Sequence, residues 1–134
     1  MLAYHPVGLK ELGLIVRANF EAFPPRFPVQ PIFDVVLNLE DAKKIASNCS
    51  KQSPSSAFFV TKFEVQENYV KKFTVQTVGS RNYQELSIPA EDFAEFNRHI
   101  IGKIQIVAAY CGEDFRDEID PKTNLPKSLK IPPF

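Results

Sequence analysis

The segment from Tyr83 to Tyr110 changes its hydrophobic period twice, and this feature constrains the fold more than any other. Its first part alternates apolar and polar residues, which predicts a strand with Leu86 and Ile88 on the buried face. Apolar residues then recur at helical spacing after Pro89, which predicts a short helix. The strand pattern returns from Lys103 to Tyr110. We therefore predict a strand, a helix and a second strand.

The same periodicities predict four more strands, two longer helices and one helical turn elsewhere in the chain. The strands are predicted at 2–5, 32–37, 57–66 and 73–78, the helices at 8–19 and 39–48, and the turn at 66–72. Pro6 is predicted to end the first strand, since proline lacks an amide donor. This order of elements favours an α+β fold with a mixed, mainly antiparallel sheet and two to three helices.

Length and composition predict one domain and limit its partners. The 134 residues favour a single α+β domain over residues 1–111, followed by a Pro-rich, mostly irregular C-terminal tail over 112–134. Sixteen basic and sixteen acidic residues cancel, so the chain has no global field that would attract nucleic acid.

Several patterns bear on compartment and on metals. No apolar run approaches the length of a membrane span, and the N-terminal residues lack the layout of a secretory signal. Cys49 and Cys111 lie far apart without other ligands at metal-binding spacing, which favours free thiols and predicts no metal site. We therefore expect a cytoplasmic protein that does not enter membranes.

Four polar residues are the main candidates for chemistry. Glu85 lies on the strand face away from the predicted core, beside Tyr83, where it serves a cleft or is ordinary solvated surface. His5, near the end of a strand, is a ligand-binding imidazole or a packed core residue. Arg26, in the Pro-rich stretch 23–31, is an anion clamp or pins its own loop. Asn38 stands where a helix N-cap belongs.

A second set of candidates is aromatic or lies at a helix end. A ligand ring could stack on an exposed aromatic side chain, although most of the 12 Phe are expected in the core. The aromatic candidates are Phe33, Phe58, Phe59 and Tyr83. The polar residues Asn97, Arg98 and His99 are explained by capping at a helix C-terminus.

Blocks distributed over about residues 1–111 resemble a family of small bacterial proteins that carries the label "ADP-ribosylation/crystallin J1". The matching blocks are Ala-Tyr-His-Pro-Val-Gly-Leu-Lys-Glu-Leu (3–12), Phe-Pro-Pro-Arg (23–26), Pro-Ile-Phe (31–33), Val-Leu-Asn (36–38), Phe-Val-Thr-Lys-Phe-Glu-Val (59–65), Phe-Thr-Val-Gln-Thr-Val-Gly (73–79), Glu-Leu-Ser-Ile-Pro-Ala-Glu (85–91) and Phe-Asn-Arg-His-Ile (96–100).

The chain also resembles the mono-ADP-ribosyltransferase fold, with His5, Asn38 and Glu85 at the positions of its three motifs. The resemblance implies NAD as substrate, Glu85 stabilising an oxocarbenium-like ribose, and His5 and Arg26 holding ribose and phosphate. A ring from Tyr83 or Phe33 would stack on the nicotinamide. Asn38 departs from the usual Ser, Thr or Tyr, and Tyr83 stands where Gln or Glu is usual.

Two functions follow from these observations. The leading interpretation is an NAD- or nucleotide-binding protein, which as an enzyme would be an ADP-ribosyltransferase-like transferase or would cleave NAD. The alternative is a non-enzymatic module in which the polar face and the tail recognise a partner protein. Convergence of His5, Arg26, Glu85 and an exposed aromatic side chain on one concave pocket would favour the enzyme. A Glu85 on an open, flat sheet would favour the module. The oligomeric state does not follow from the sequence.

Overall fold

The computed structural model describes residues 1–24, 32–73, 75–78 and 83–129. Its helices are α1 (Leu9–Arg17), α2 (Leu39–Gln52), α3 (Glu67–Val70) and α4 (Ala90–Arg98). Its strands are β1 (Leu2–Gly8), β2 (Ile32–Val36), β3 (Ala57–Val65), β4 (Val75–Val78), β5 (Tyr83–Pro89) and β6 (Ile100–Cys111). The strands form one sheet in the order β4-β5-β2-β1-β3-β6 with antiparallel neighbours. The predicted α+β class is confirmed.

The two faces of the sheet are covered unequally. One face, called the core face below, carries the main hydrophobic core and is covered by α1, α3 and α4. The opposite face, called the α2 face, carries a smaller cluster in which Ala42 and Ala46 of α2 pack on Val36 and Val60. Since successive strand residues alternate between faces, the position of each residue on its strand decides which environment it meets.

Helix α2 begins where the sequence predicts and ends later. The Asn38 side-chain oxygen accepts a hydrogen bond from the Asp41 amide at 3.2 Å, which satisfies one free donor of the first turn. The helix continues to Gln52, beyond the predicted end near Asn48. The buried stripe extends to Ser50, whose hydroxyl donates to the Ser47 carbonyl oxygen at 2.7 Å, so its polar atom has a local partner.

Strand β1 passes through Pro6, which corrects the prediction that the proline ends it. Pro6 pairs with Val60 of β3, within a ladder that runs the length of β1. On the other side, β1 shares with β2 the single registered pair Tyr4–Val36. The missing amide of Pro6 is tolerated because it falls beyond that pair, where β1 and β2 no longer form a ladder.

Strand β6 begins at Ile100, before the predicted start at Lys103. Helix α4 ends at Arg98, and Gly102 lies inside the strand. Its φ of +73° accompanies a register shift against β3 between Lys62 and Glu64. The glycine therefore forms part of a bulge, where a positive φ is needed.

The C-terminal tail folds back on the domain over residues 112–129. It contains no helix or strand in this range apart from the isolated bridge between Ile119 and Pro126. Leu125 is buried in the main core, and the Asn124 amide donates to the Ile106 carbonyl oxygen at 3.0 Å. Among the described residues, no helix has the length and apolar character needed to cross a bilayer.

Candidate functional site

His5 lies on the core face and is enclosed by aromatic rings. It is 8% exposed, and its ring centroid lies 4.1 Å from that of Phe33 and 5.6 Å from that of Phe23. The Nδ1 atom lies 2.7 Å from the carbonyl oxygen of Asp34 on β2. A carbonyl oxygen only accepts, so Nδ1 carries the proton and donates it to this bond.

The second nitrogen of His5 faces the carboxylate of Glu11. The Nε2 to Oε2 distance is 3.3 Å, but the contact lacks the direction of a hydrogen bond and is an ion-pair contact. With Nδ1 protonated, a neutral ring would turn its Nε2 lone pair toward the carboxylate. Both nitrogens of His5 therefore face groups of the chain itself.

The His5 contacts join two parts of the sheet that are otherwise weakly connected. Strands β4, β5 and β2 form one half, and β1, β3 and β6 form the other. Between the two halves, β1 and β2 share the registered pair Tyr4–Val36. The hydrogen bond from the His5 side chain to the Asp34 carbonyl oxygen adds a second contact between these strands. His5 thus connects β1 to β2 and, through Glu11, to α1.

Glu85 lies on the α2 face beside a second acid. In the β2–β5 ladder, Glu85 is opposite Val36 and Ser87 is opposite Asp34, which makes Asp34 and Glu85 diagonal neighbours on one face. Ser87 Oγ donates to Asp34 Oδ1 at 3.2 Å and orients that carboxylate. Partial burial, and then the charge of Asp34, raise the pKa of Glu85 above its ordinary value.

The structure does not bring His5 and Glu85 together. Leu86 and Ile88, the alternate residues of β5, pack in the same core as Phe33 and the neighbours of His5. Glu85 therefore points to the α2 face, whereas His5 points to the core face. The two residues cannot contact one ribose in this arrangement, and the geometry required for the predicted oxocarbenium mechanism is not formed.

The other predicted ligand-binding residues have separate positions. Phe33 is fully buried in the aromatic core, so its ring has no surface for a nicotinamide, and it is a core residue. Asn38 is exposed, and its side-chain oxygen caps α2. Arg26 and the side chain of Tyr83 lie outside the described part of the chain.

The polar cluster at the end of α4 has structural contacts. The Asn97 side chain forms two hydrogen bonds with the backbone of Phe23, each 3.0 Å long. His99 Nδ1 donates to the Glu95 carbonyl oxygen, and its ring stacks on Tyr69 at 3.9 Å between centroids. Burial, and then the charges of Glu95 and Asp92, raise the pKa of Tyr69 to about 12.

A groove of about 600 Å³ runs along the outer side of α2. It is lined by Glu40, Asp41, Lys43, Lys44, Ile45, Ser47, Asn48, Lys51 and Tyr110. No residue predicted from sequence to bind NAD lines this groove. The described residues contain no group of three or more His, Cys, Asp or Glu placed to hold a metal ion, and Cys49 and Cys111 are free thiols.

Two site residues were not singled out from the sequence. The sequence does distinguish Asp34, because it is the one acid within an otherwise apolar strand segment, Ile32–Leu37. The sequence does not distinguish Glu11, since an acid on the polar side of an amphipathic helix is ordinary. Its approach to His5 depends on how α1 packs against β1.

Comparison of the chain with models of protein families, with curated proteins and with solved structures finds no match.

Proposed function

We propose that this protein is a binding module that accepts a basic side chain of a partner protein at Asp34 and Glu85. The observation that carries the proposal is the pairing of two carboxylates on an open part of the α2 face. This is the interaction-module alternative, which the sequence linked to a Glu85 on an open sheet.

The charge of this pair is not compensated by any other residue that the structure describes. Neither Asp34 nor Glu85 forms an ion pair with any other described residue. The raised pKa of Glu85 shows that its charged form is disfavoured by partial burial and by the neighbouring acid. A cation placed between the two carboxylates would relieve both costs, so the pair is complementary to a basic group.

Arginine is the basic side chain that fits this pair best. Its planar guanidinium offers several donors and binds carboxylate oxygens in a bidentate manner, whereas the lysine ammonium acts as a point charge. The Ser87 hydrogen bond holds Asp34 in place before binding, which lowers the entropy cost of recognition. We therefore expect arginine to bind more tightly than lysine.

Titration with short peptides, followed by NMR, tests the proposal. The probes are acetyl-Gly-Arg-Gly amide, its lysine analogue and its glutamine analogue, used up to about 10 mM, which detects a binding free energy of roughly −2.7 kcal/mol. We expect saturable shifts at Asp34 and Glu85 with arginine, weaker shifts with lysine and none with glutamine. Asp34→Asn and Glu85→Gln should abolish them, whereas Glu64→Gln, on the same face but outside the pair, should not.

Two results would overturn the proposal. One is the absence of saturable shifts with the arginine peptide. The other is equal binding by the wild-type protein and Glu85→Gln. Nucleotide binding stays a prediction of the sequence, and a thermal-shift measurement with NAD and ADP-ribose tests it separately, because a ligand of the native state raises the Tm. A rise in Tm lost in both His5→Phe and Glu85→Gln would favour the nucleotide interpretation instead.

A further inference from the structure

Two large apolar side chains lie on either side of Glu64, at an end of the α2 face that α2 leaves uncovered. Leu2 is 51% exposed and Ile101 is 47% exposed. Both residues are register partners of Glu64, Leu2 from β1 and Ile101 from β6, so they flank it on the same face. They line a shallow groove of about 310 Å³. We call this area the Leu2–Ile101 surface.

Charges of both signs surround these apolar side chains. Lys62 and Lys103 line the same groove as Glu64. None of these three forms an ion pair with another residue in the described ranges. The surface therefore combines two exposed apolar side chains, on either side of Glu64, with one negative and two positive groups that are free to pair with another molecule.

We propose that a second copy of this chain docks on the Leu2–Ile101 surface through a two-fold axis. A two-fold interface brings the same patch of both copies together, so the patch must be complementary to itself. The Leu2–Ile101 surface meets this condition, because the Glu64 of one copy can pair with Lys62 or Lys103 of the other. The exposed apolar side chains on either side of Glu64 would then be buried in the interface.

This surface shares no residue with the Asp34–Glu85 pair, and the dimer proposal does not depend on that pair.

The bulge at Gly102 supports the proposed interface between the two copies. The register shift between Lys62 and Glu64 places Gly102 and Lys103 beside the groove, and bulges in edge strands commonly redirect side chains. Further along β6, the Ile104 amide donates to the Phe20 carbonyl oxygen and Asn124 donates to Ile106, so that part of the edge is already engaged.

Sedimentation velocity over a range of protein concentrations tests the association. We expect a concentration-dependent dimer for the wild-type chain. Leu2→Ser combined with Ile101→Ser should weaken dimerisation by roughly tenfold or more, because it removes the two apolar side chains that the interface would bury. Val75→Ser is the matched control, since Val75 is 47% exposed but lies on β4 at the opposite edge of the sheet.

Charge inversion tests the pairing within the interface. Glu64→Lys should weaken dimerisation because it leaves only positive groups on the surface. Combining it with Lys62→Glu and Lys103→Glu should restore dimerisation, since all pairs across the axis are then reversed. Circular dichroism checks that each variant is folded. A wild-type chain that stays monomeric, a Leu2–Ile101 variant that dimerises normally, or an inverted surface that fails to recover would each overturn the proposal.

Discussion

At the scale of single residues, His5 and Glu85 perform different tasks because β1 and β5 direct them to opposite faces of the sheet. Both ring nitrogens of His5 face groups within the chain. Glu85 has no cationic partner among the described residues. The structure therefore gives His5 contacts within the fold, whereas Glu85 is available for the recognition that we propose.

Replacing His5 by Phe should destabilise the fold. The substitution keeps an aromatic ring, although a larger one, but the Asp34 carbonyl oxygen loses its donor and Glu11 then faces an apolar ring. An unsatisfied buried acceptor costs about 1–3 kcal/mol, so we expect a loss of that size in the free energy of unfolding. Urea denaturation measures it. His99→Phe, at a half-buried histidine with one backbone hydrogen bond, is the control and should lose less. Equal stability of His5→Phe and the wild-type protein would contradict the structural role.

Replacing Glu85 by Gln should change how stability depends on pH. The folded chain holds the Glu85 proton more tightly than the unfolded chain, because its pKa is raised by burial and by Asp34. Wild-type stability should therefore fall as pH rises from the unfolded pKa through the raised one. We expect Glu85→Gln to be more stable than the wild-type protein at neutral pH by about 0.5 kcal/mol, a value within the range for cross-strand side-chain pairs.

The same difference should disappear in acid, where Glu85 is protonated in both states. Urea denaturation between about pH 3 and pH 7.5 spans this window. Glu64→Gln removes one negative charge from the same face and serves as the control. A Glu85→Gln variant that is less stable than the wild-type protein at neutral pH would mean that the Glu85 carboxylate is stabilised within the fold.

At the scale of elements, periodicity predicts which segments are strands and helices, but not how they end. The alternation in β5 identifies its buried residues Leu86 and Ile88 correctly, because burial on one face of a sheet imposes a period of two. The predicted end of β1 before Pro6 is wrong, and so is the predicted start of β6 at Lys103, just after Gly102. Whether a proline or a glycine ends a strand depends on the neighbouring strand, and a local pattern contains no information on that neighbour.

Two glycines provide a direct test of how the elements pack. Gly112 joins β6 to the tail, and a Cβ at this position would lie 2.2 Å from the Pro54 carbonyl oxygen. Gly112→Ala should therefore destabilise the fold by about 1–3 kcal/mol, as overpacking does. Gly13 lies within α1, and a Cβ there would meet nothing within 4 Å. Gly13→Ala should stabilise the fold by about 0.5–1 kcal/mol, since alanine favours the helix.

Thermal unfolding of the two glycine variants measures both effects on the same scale. Gly112→Ala should melt below the wild-type protein and Gly13→Ala above it. If Gly112→Ala melts at the wild-type temperature, the tail does not pack against the turn at Pro54 as described.

At the scale of the whole molecule, the sheet consists of two halves joined at β1 and β2. His5 and Glu85 do not converge at this scale, because their order in the chain does not determine the face on which each side chain lies. The direction of each side chain depends on strand parity, and the sequence shows parity for β5 through Leu86 and Ile88. In β1, Ala3, His5 and Val7 share the buried face, so the parity of His5 is that of two apolar residues. The contact between His5 and Asp34 joins segments that are distant in the sequence, so a local pattern does not predict it.

The measurement that tests this account most directly compares arginine-peptide binding by His5→Phe and Glu85→Gln at a temperature where both variants are folded. Because the two side chains lie on opposite faces, we predict that Glu85→Gln weakens binding by roughly tenfold or more, while His5→Phe stays within about twofold of the wild-type protein. If both substitutions weaken binding to a similar extent, His5 and Glu85 serve one common site, and the assignment of the two residues to separate faces is contradicted.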